Sequence, residues 1–309
     1  MSAVSIICLG PTGVGYFCDV ADLPTQDRGV VASRHGALLV CDAAIVSSIC
    51  APRFPGRVHL VTNNLGSVAA ESQLLREKLE SGVTIYPDPL MFMGAPIDMV
   101  MVDRGRGTRS FVTTNYYPSN SHILTTTRAI LASLPQNSRV VSYVDVEVSS
   151  DSGRAALDAS PILAPSDGSV WNVGQVAQLS DAQEWLTGAA LPENAIIQVS
   201  LGNSNMTHSE IRSAWRLMTS APSQKLVVSL GSAGAAWADG RNTEVIGVVP
   251  VTDAFTLGAG AVLAGCLVMG LARSESPHIG GLVADAVEAA TRYVRDATVH
   301  GDMQGLALW

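Results

Sequence analysis

The stretch from Val251 to Gly270, VTDAFTLGAGAVLAGCLVMG, decides how the rest of the chain is read. Its centre, Thr256-Leu257-Gly258-Ala259-Gly260, sets two glycines around one alanine, ahead of an apolar run at helical spacing. Two glycines before such a run leave several backbone N–H groups unpaired at a helix N-terminus, and that end carries the positive pole of the helix dipole. The arrangement suits an anion. A tight strand-to-helix turn feeding a buried helix satisfies the same spacing, because short glycine patterns also arise by accident.

Outward from this stretch, composition narrows the class. The 309 residues suffice for one large domain, and 47% hydrophobic against 15% charged residues argues for a well-buried core rather than disorder. A formal charge of −8 and a pI near 5.2 leave no electrostatic footprint for nucleic acid or an anionic membrane. Mean hydropathy is positive, at +0.27. Yet the most apolar stretch, Ala254 to Ala272, is glycine-rich and fits a packed helix after a turn better than a membrane span. Cys8, Cys18, Cys41, Cys50 and Cys266 are scattered, with no C-x-x-C and no neighbouring histidine, as expected of reduced thiols in the cytosol. The start, MSAVSIICLG, has no basic region, so no signal peptide is expected and the location is read as cytoplasmic.

Taken in order, Val4 to Leu9 reads as a buried strand ended by Gly10-Pro11. Tyr16 to Ala21 and Gly29 to Arg34 read as extended pieces around Leu23-Pro24, and Ala37 to Cys50 as an apolar helix. Val58 to Val61 and Val83 to Tyr86 read as strands, with a helix over Ser67 to Glu80 between them. Met99 to Asp103 and Arg109 to Thr114 form an expected hairpin around Arg104-Gly105-Arg106-Gly107. Thereafter strands at Ser138 to Val148, Ala195 to Ser200 and Lys225 to Ser229 alternate with helices at Thr125 to Leu134, Val173 to Leu179 and Ser209 to Met218. Helices at Val262 to Ala272 and Gly281 to Ala297 close the chain. Such alternation implies a parallel sheet with helices on both faces.

The opening stretch resembles the C-terminal motif of the ribokinase-like (PfkB) sugar and nucleoside kinase family, D-T-x-G-A-G-D-x-F/L-x-A-G. Thr256-Leu257-Gly258-Ala259-Gly260 and Ala264-Gly265 match in register. Phe255 replaces the first Asp and Ala261 the second, which in the family is the base that takes the acceptor hydroxyl proton. Lys225-Leu-Val-Val-Ser-Leu-Gly-Ser-Ala-Gly is similar to the nucleotide-side strand and turn V-T-L-G-x-x-G, placing Ser229, Gly231 and Gly234 beside a nucleotide. Gly10 to Pro24 looks like the family's opening strand and L-P turn. The resemblance implies an α/β fold: a three-layer αβα sandwich with a mostly parallel central sheet, one domain over residues 1–309. A small β-lid is expected from about 15–35 and 96–116, in this family often a dimer contact. It also implies ATP and Mg²⁺, with a sugar, nucleoside or phosphorylated compound as ligand.

The chemical positions depart from the pattern. Ala261 has no titratable group, while Gly258, Ala259 and Gly260 keep the anion cradle. The N-x-x-E motif that organises water and Mg²⁺ is matched to Asn172 and Gln175, so Glu has become Gln and no metal ligand is assigned. Asn172 equally suits an N-cap for a helix from Val173. On the sugar side the family's hydroxyl-binding Asp falls on Gly15, and G-G-x-x-x-N falls on Gly36 to Cys41, with Cys41 for Asn. A register shifted by one residue brings Asp19, Asp42 or Asn64 into play. Five departures on an intact framework imply a protein that has drifted from the kinase reaction, a pseudokinase. The alternatives are an active divergent kinase drawing its base from Asp253 or Asp145, or an enzyme of another class using the old cradle.

Further candidates are weaker. Asp145 and Glu147, two apart on one strand, share a face that suits a metal or a sugar as well as water. Arg104, Arg106 and Arg109 suit either a ligand phosphate or a solvated turn. His35 and Tyr116-Tyr117-Pro118 are ligand contacts or packing groups.

Overall fold

A computed structural model describes residues 3–24, 30–66, 70–79, 82–90, 96–103, 108–113, 117–146, 157–186, 189, 191–202, 204–252, 254–274 and 277–300. In chain order the elements of the large sheet are β1 (Val4–Leu9), β4 (Val58–Thr62), β5 (Val83–Pro87), β8 (Arg139–Asp145), β9 (Gly168–Gln175), β10 (Ala195–Ser200), β11 (Lys225–Ser229), β12 (Ala235–Ala238) and β13 (Thr243–Ile246). They form one nine-stranded sheet in the order β13-β12-β11-β10-β9-β8-β1-β4-β5. Pairing is parallel from β11 through to β5, and antiparallel where β12 and β13 extend the β11 edge.

Helices α1 (Asp42–Cys50), α7 (Ala259–Arg273) and α8 (Ile279–His300) pack on one face of this sheet with Ile6, Cys8, Val141, Tyr143, Val170 and Ile196. On the other face α3 (Asn120–Ser133), α4 (Ser160–Leu163), α5 (Leu179–Leu186) and α6 (His208–Met218) pack with Ile7, Leu9, Val144, Trp171 and Ile197. Helix α2 (Ala70–Lys78) follows β4. Consecutive strand residues thus enter opposite cores, which is why the strands read as unbroken apolar runs rather than alternating ones. Among the described residues no helix is long and apolar enough to cross a membrane.

A second sheet of four strands, β3-β2-β6-β7, is built from β2 (Gly13–Val20), β3 (Arg34–Val40), β6 (Ile97–Asp103) and β7 (Thr108–Thr113). Phe17, Leu38 and Val100 turn one of its faces into the first core. Tyr16 pairs with Met99, and Met99 with Val112, so these three share the opposite face, where they are 41%, 63% and 63% exposed.

Three sequence expectations fail here. The helix expected over Ala37 to Cys50 starts only at Asp42; Ala37 to Val40 belong to β3, paired with β2 from Tyr16 to Gly13. Periodicity cannot separate a short apolar strand from a helix turn, and at Cys41 the backbone reverses through a positive φ of 71°. The extended piece at Gly29 to Arg34 reaches a strand only at its last residue, and its first residue lies outside the described part. The helix expected over Val173 to Leu179 is instead the end of β9 as far as Gln175, and only Leu179 is helical, as the first residue of α5. The register shifts at Gly174, with φ 72°, before Gln175 pairs with Ser200. Asn172 is therefore a strand residue, not an N-cap.

Candidate ligand-binding site

The first turn of α7 lies above the sheet edge where the parallel strands end. Gly258 caps it in the left-handed region at φ 88°, with no side-chain hydrogen bond to the cap. The first helical bond runs from Val262 N–H to the Gly258 carbonyl at 2.9 Å, so the N–H groups of Gly260 and Ala261 precede the helical ladder, with Gly260 part-exposed and Ala261 buried. A Cβ built on Gly260 meets nothing within 4 Å, which marks open space at this turn. Two buried side chains hold the turn: Tyr293 on α8 donates its hydroxyl to the Leu257 carbonyl at 2.6 Å, and Gln198 on β10 donates Nε2 to the Gly260 carbonyl at 3.2 Å. Burial pushes the Tyr293 phenol up, so it stays protonated and donating. Ala261 itself is fully buried, at 0% exposure.

Beneath this turn three polar side chains stand in register: Asp145 at the end of β8 pairs with Asn172 on β9, and Asn172 with Gln198 on β10. Asn172 Nδ2 donates to Asp42 Oδ2 at 2.8 Å and to Asp145 Oδ1 at 3.4 Å, while its Oδ1 accepts the Gly174 N–H at 3.3 Å. Asp42 is the first residue of α1, where a carboxylate also meets the helix dipole favourably. Gly10 makes this convergence sterically feasible, since a Cβ there would lie 2.7 Å from Asp145 Cβ and 2.8 Å from Ala43 Cβ. Tyr143 lies two residues before Asp145 on the same face. Burial first, and then the negative charges of Asp145 and Asp42, push its phenol well up.

The small-sheet side is apolar. Gly15, which the sequence resemblance aligns with a hydroxyl-binding Asp, has its missing Cβ site only 2.2 Å from Val40 Cγ1. Gly36 likewise lies under Phe17, whose Cε1 would be 2.8 Å from an added Cβ. Phe17 in turn meets Phe255 with ring centroids 5.2 Å apart and planes tilted by 60°. Phe255 thus joins the small sheet to the turn ahead of α7 as packing.

Ser229, Gly231 and Gly234 gather in one tight turn between β11 and β12, closed by Leu230 N–H to the Gly234 carbonyl at 2.8 Å. Only glycine fits position 234, where φ is 100° and a Cβ would lie 2.0 Å from the Ile246 carbonyl oxygen. Asn172 does not join them: β10 separates β9 from β11, and its amide is directed to Asp42 and Asp145. Asn64 is engaged in its own loop, donating to the Asp88 carbonyl and accepting from Gly66 N–H. Cys41 is the half-buried residue before α1. His35 is exposed and paired with Cys18 on β2, and Tyr117 packs against the opposite core. The side chains of Gln175 and Arg109, and residues Arg104, Arg106, Tyr116, Glu147 and Asp253, lie outside the described part.

Sequence reasoning assigned no site role to Gln198, Gly10 or Tyr293, and reached Asp42 only through a shifted register. For Gln198 a signal existed: one amide inside the apolar strand Ala195-Ile-Ile-Gln-Val. For Tyr293 nothing local marks a contact with Leu257, 36 residues away.

The sandwich of helices on both faces of a mostly parallel sheet, with a small second sheet beside the α7 turn, defines a ribokinase-like fold. Solved structures agree. Ribokinase from Giardia lamblia superposes with a TM-score of 0.72 at 16% identity, covering 98% of this chain and 96% of that one. Phosphofructokinase-2 from Escherichia coli, solved with fructose-6-phosphate, gives 0.64 at 16% identity over 100% and 99% of the two chains. Ribokinase from Thermotoga maritima gives 0.64 at 11% identity over 95% and 93%. Identities this low carry the fold alone. No protein-family sequence profile matches the chain, and no curated protein matches it in sequence.

Proposed function

We propose that this ribokinase-fold protein binds a small molecule beneath the first turn of α7, with ATP-dependent phosphoryl transfer to an alcohol strongly impaired. The observation that carries the reading is Ala261, which is fully buried and untitratable where the resemblance requires a general base. Loss of a general base forfeits about 10²–10⁴ in rate. Phe255 packed on Phe17, and Gly15 blocked by Val40, support the same reading, because neither position grips a polyol.

ATP and Mg²⁺, the groups this fold family implies, fit unequally. The part-exposed first-turn N–H at Gly260, with the Ser229–Gly234 turn, suits phosphate oxygens. When bound, MgATP supplies the transferable phosphoryl group. Asn172 on β9, the residue expected near the metal, has its amide N–H₂ engaged with the carboxylates of Asp42 on α1 and Asp145 on β8 instead. Gln175 in place of a carboxylate weakens the metal end further, since an amide offers only one neutral acceptor.

A second reading is favoured by one observation. Asp145 ends β8 beside Asp42, so an active divergent kinase would take Asp145 as its base. The exposed Tyr16, Met99 and Val112 face of the small sheet also suits a homodimer. Melting-temperature shifts and Mg²⁺-dependent ATP consumption, measured on one panel of nucleotides, sugars, nucleosides and sugar phosphates, test the proposal. Binding without turnover is expected. Turnover at ordinary kinase rates that Asp145→Asn abolishes would establish the second reading instead.

A further inference from the structure

Asp145, Asn172 and Gln198 lie in register across β8, β9 and β10, on the sheet face that otherwise forms the apolar core under α1 and α7. Buried polar groups in such a layer are costly unless something answers them. Asn172 is answered by Asp42, Asp145 and Gly174. Gln198 is answered by half: it is 1% exposed, its Nε2 donates to the Gly260 carbonyl, and its buried Oε1 has no hydrogen-bond partner among the described residues. The residue it is tied to, Gly260, borders open space. An acceptor oxygen is therefore held at the α7 turn, in the same row as the Asp145 carboxylate, with the Asp42 carboxylate reaching Asn172 of that row from α1.

We propose that this row recognises a small molecule carrying a primary ammonium group, an amino alcohol or amino sugar, set against Asp42, Asp145 and Gln198 Oε1. The inference rests on the ligand-binding reading above and narrows its ligand class. All three groups are acceptors, and an ammonium brings three N–H donors with one positive charge. The chain already places an N–H₂ group against both carboxylates, at 2.8 and 3.4 Å from Asn172 Nδ2, so the geometry there is that of an N–H donor rather than a bare metal ion. Burial first, and then the negative charges of Asp145 and Asp42, push the Tyr143 phenol up on the same strand face. An anionic group would be repelled from this row and belongs at the first-turn N–H groups of α7. A neutral hydroxyl donates one hydrogen where an ammonium donates three, which sets the preference between otherwise similar ligands.

Titration calorimetry on the full chain with matched pairs tests this: glucosamine against glucose, and ethanolamine against ethylene glycol, with MgCl₂ as a third arm. The amine of a pair is expected to bind at least about tenfold more tightly than its alcohol twin, as charge-assisted hydrogen bonds exceed neutral ones. Asp145→Asn and Gln198→Met are each expected to bring that ratio toward one, with thermal melts showing both variants folded. Equal affinities, a preference for the alcohol, or Mg²⁺ displacing the amine would overturn the inference. Should amines fail while sugars, nucleosides or nucleotides bind, the inference falls and the ligand-binding reading stands. If nothing in either panel binds, both fall.

Discussion

Replacing Gly15 by alanine probes directly whether Val40 leaves room for any side chain at this position of the small sheet. The new Cβ would sit 2.2 Å from Val40 Cγ1 and 3.4 Å from Leu38 Cδ1, and the first distance is more than an ångström short of ordinary contact. Val40 is buried, short and β-branched, so it cannot swing its end away as a longer side chain would. Overpacking of this kind costs about 1–3 kcal/mol. The smaller unfolded-state entropy of alanine returns about 0.4–1 kcal/mol. A net loss of about 1–2 kcal/mol is expected, read by urea unfolding followed through the fluorescence of buried Trp171. In Gly15→Ala with Val40→Ala the new methyl enters vacated space, so the pair should be more stable than the sum of its singles by about 1–2 kcal/mol. A neutral or stabilising Gly15→Ala, or strict additivity in the double variant, would refute the claim that Val40 bars this position to a side chain.

Other consequences follow from the same structure. Tyr293→Phe removes the 2.6 Å hydrogen bond to Leu257 and should cost about 1 kcal/mol in urea unfolding while loosening the α7 turn. Ala261→Asp places a carboxyl at a fully buried position, so its folded pKa should rise above the unfolded value of about 3.9. The variant's deficit should therefore grow as pH rises from that unfolded value through the raised folded one, giving a larger loss of melting temperature at pH 8 than at pH 4. Asp88 behaves in the opposite sense: burial works to raise its pKa, but hydrogen bonds from Ser119 and Leu90, with His122 nearby, outweigh burial and hold it low. Its contribution is present above the unfolded value and lost as pH falls through the depressed folded value, so Asp88→Asn should flatten the acid limb of the stability profile.

The framework was legible because it is written locally. Gly258 and Gly260 before an apolar helix, and the strand Lys225–Ser229 before its glycine turn, announce themselves in consecutive residues. The site was less legible because its members meet only through sheet register and the packing of α1. Asp42 and Asn172 are 130 residues apart yet 2.8 Å apart in space. The strand Arg34–Val40 and the positive φ at Cys41 hold back the start of α1 from the expected Ala37 to Asp42, which puts that carboxylate first in the helix. β9 escaped notice because Asn172 and Gly174 interrupt its apolar run, and β12 because Ala235–Ala238 is too short and too rich in alanine to signal a strand.

Phosphoryl transfer itself tests most directly the proposal that Ala261 leaves the α7 turn without a general base. Phosphorus-31 NMR of ATP and Mg²⁺ with the acceptor panel, at protein concentrations close to substrate, reads phosphoryl transfer down to a few turnovers. The account predicts transfer slower by about 10²–10⁴ than a kinase with its base in place. Accumulation of ADP and a phosphorylated acceptor at about 1–100 s⁻¹ would contradict it.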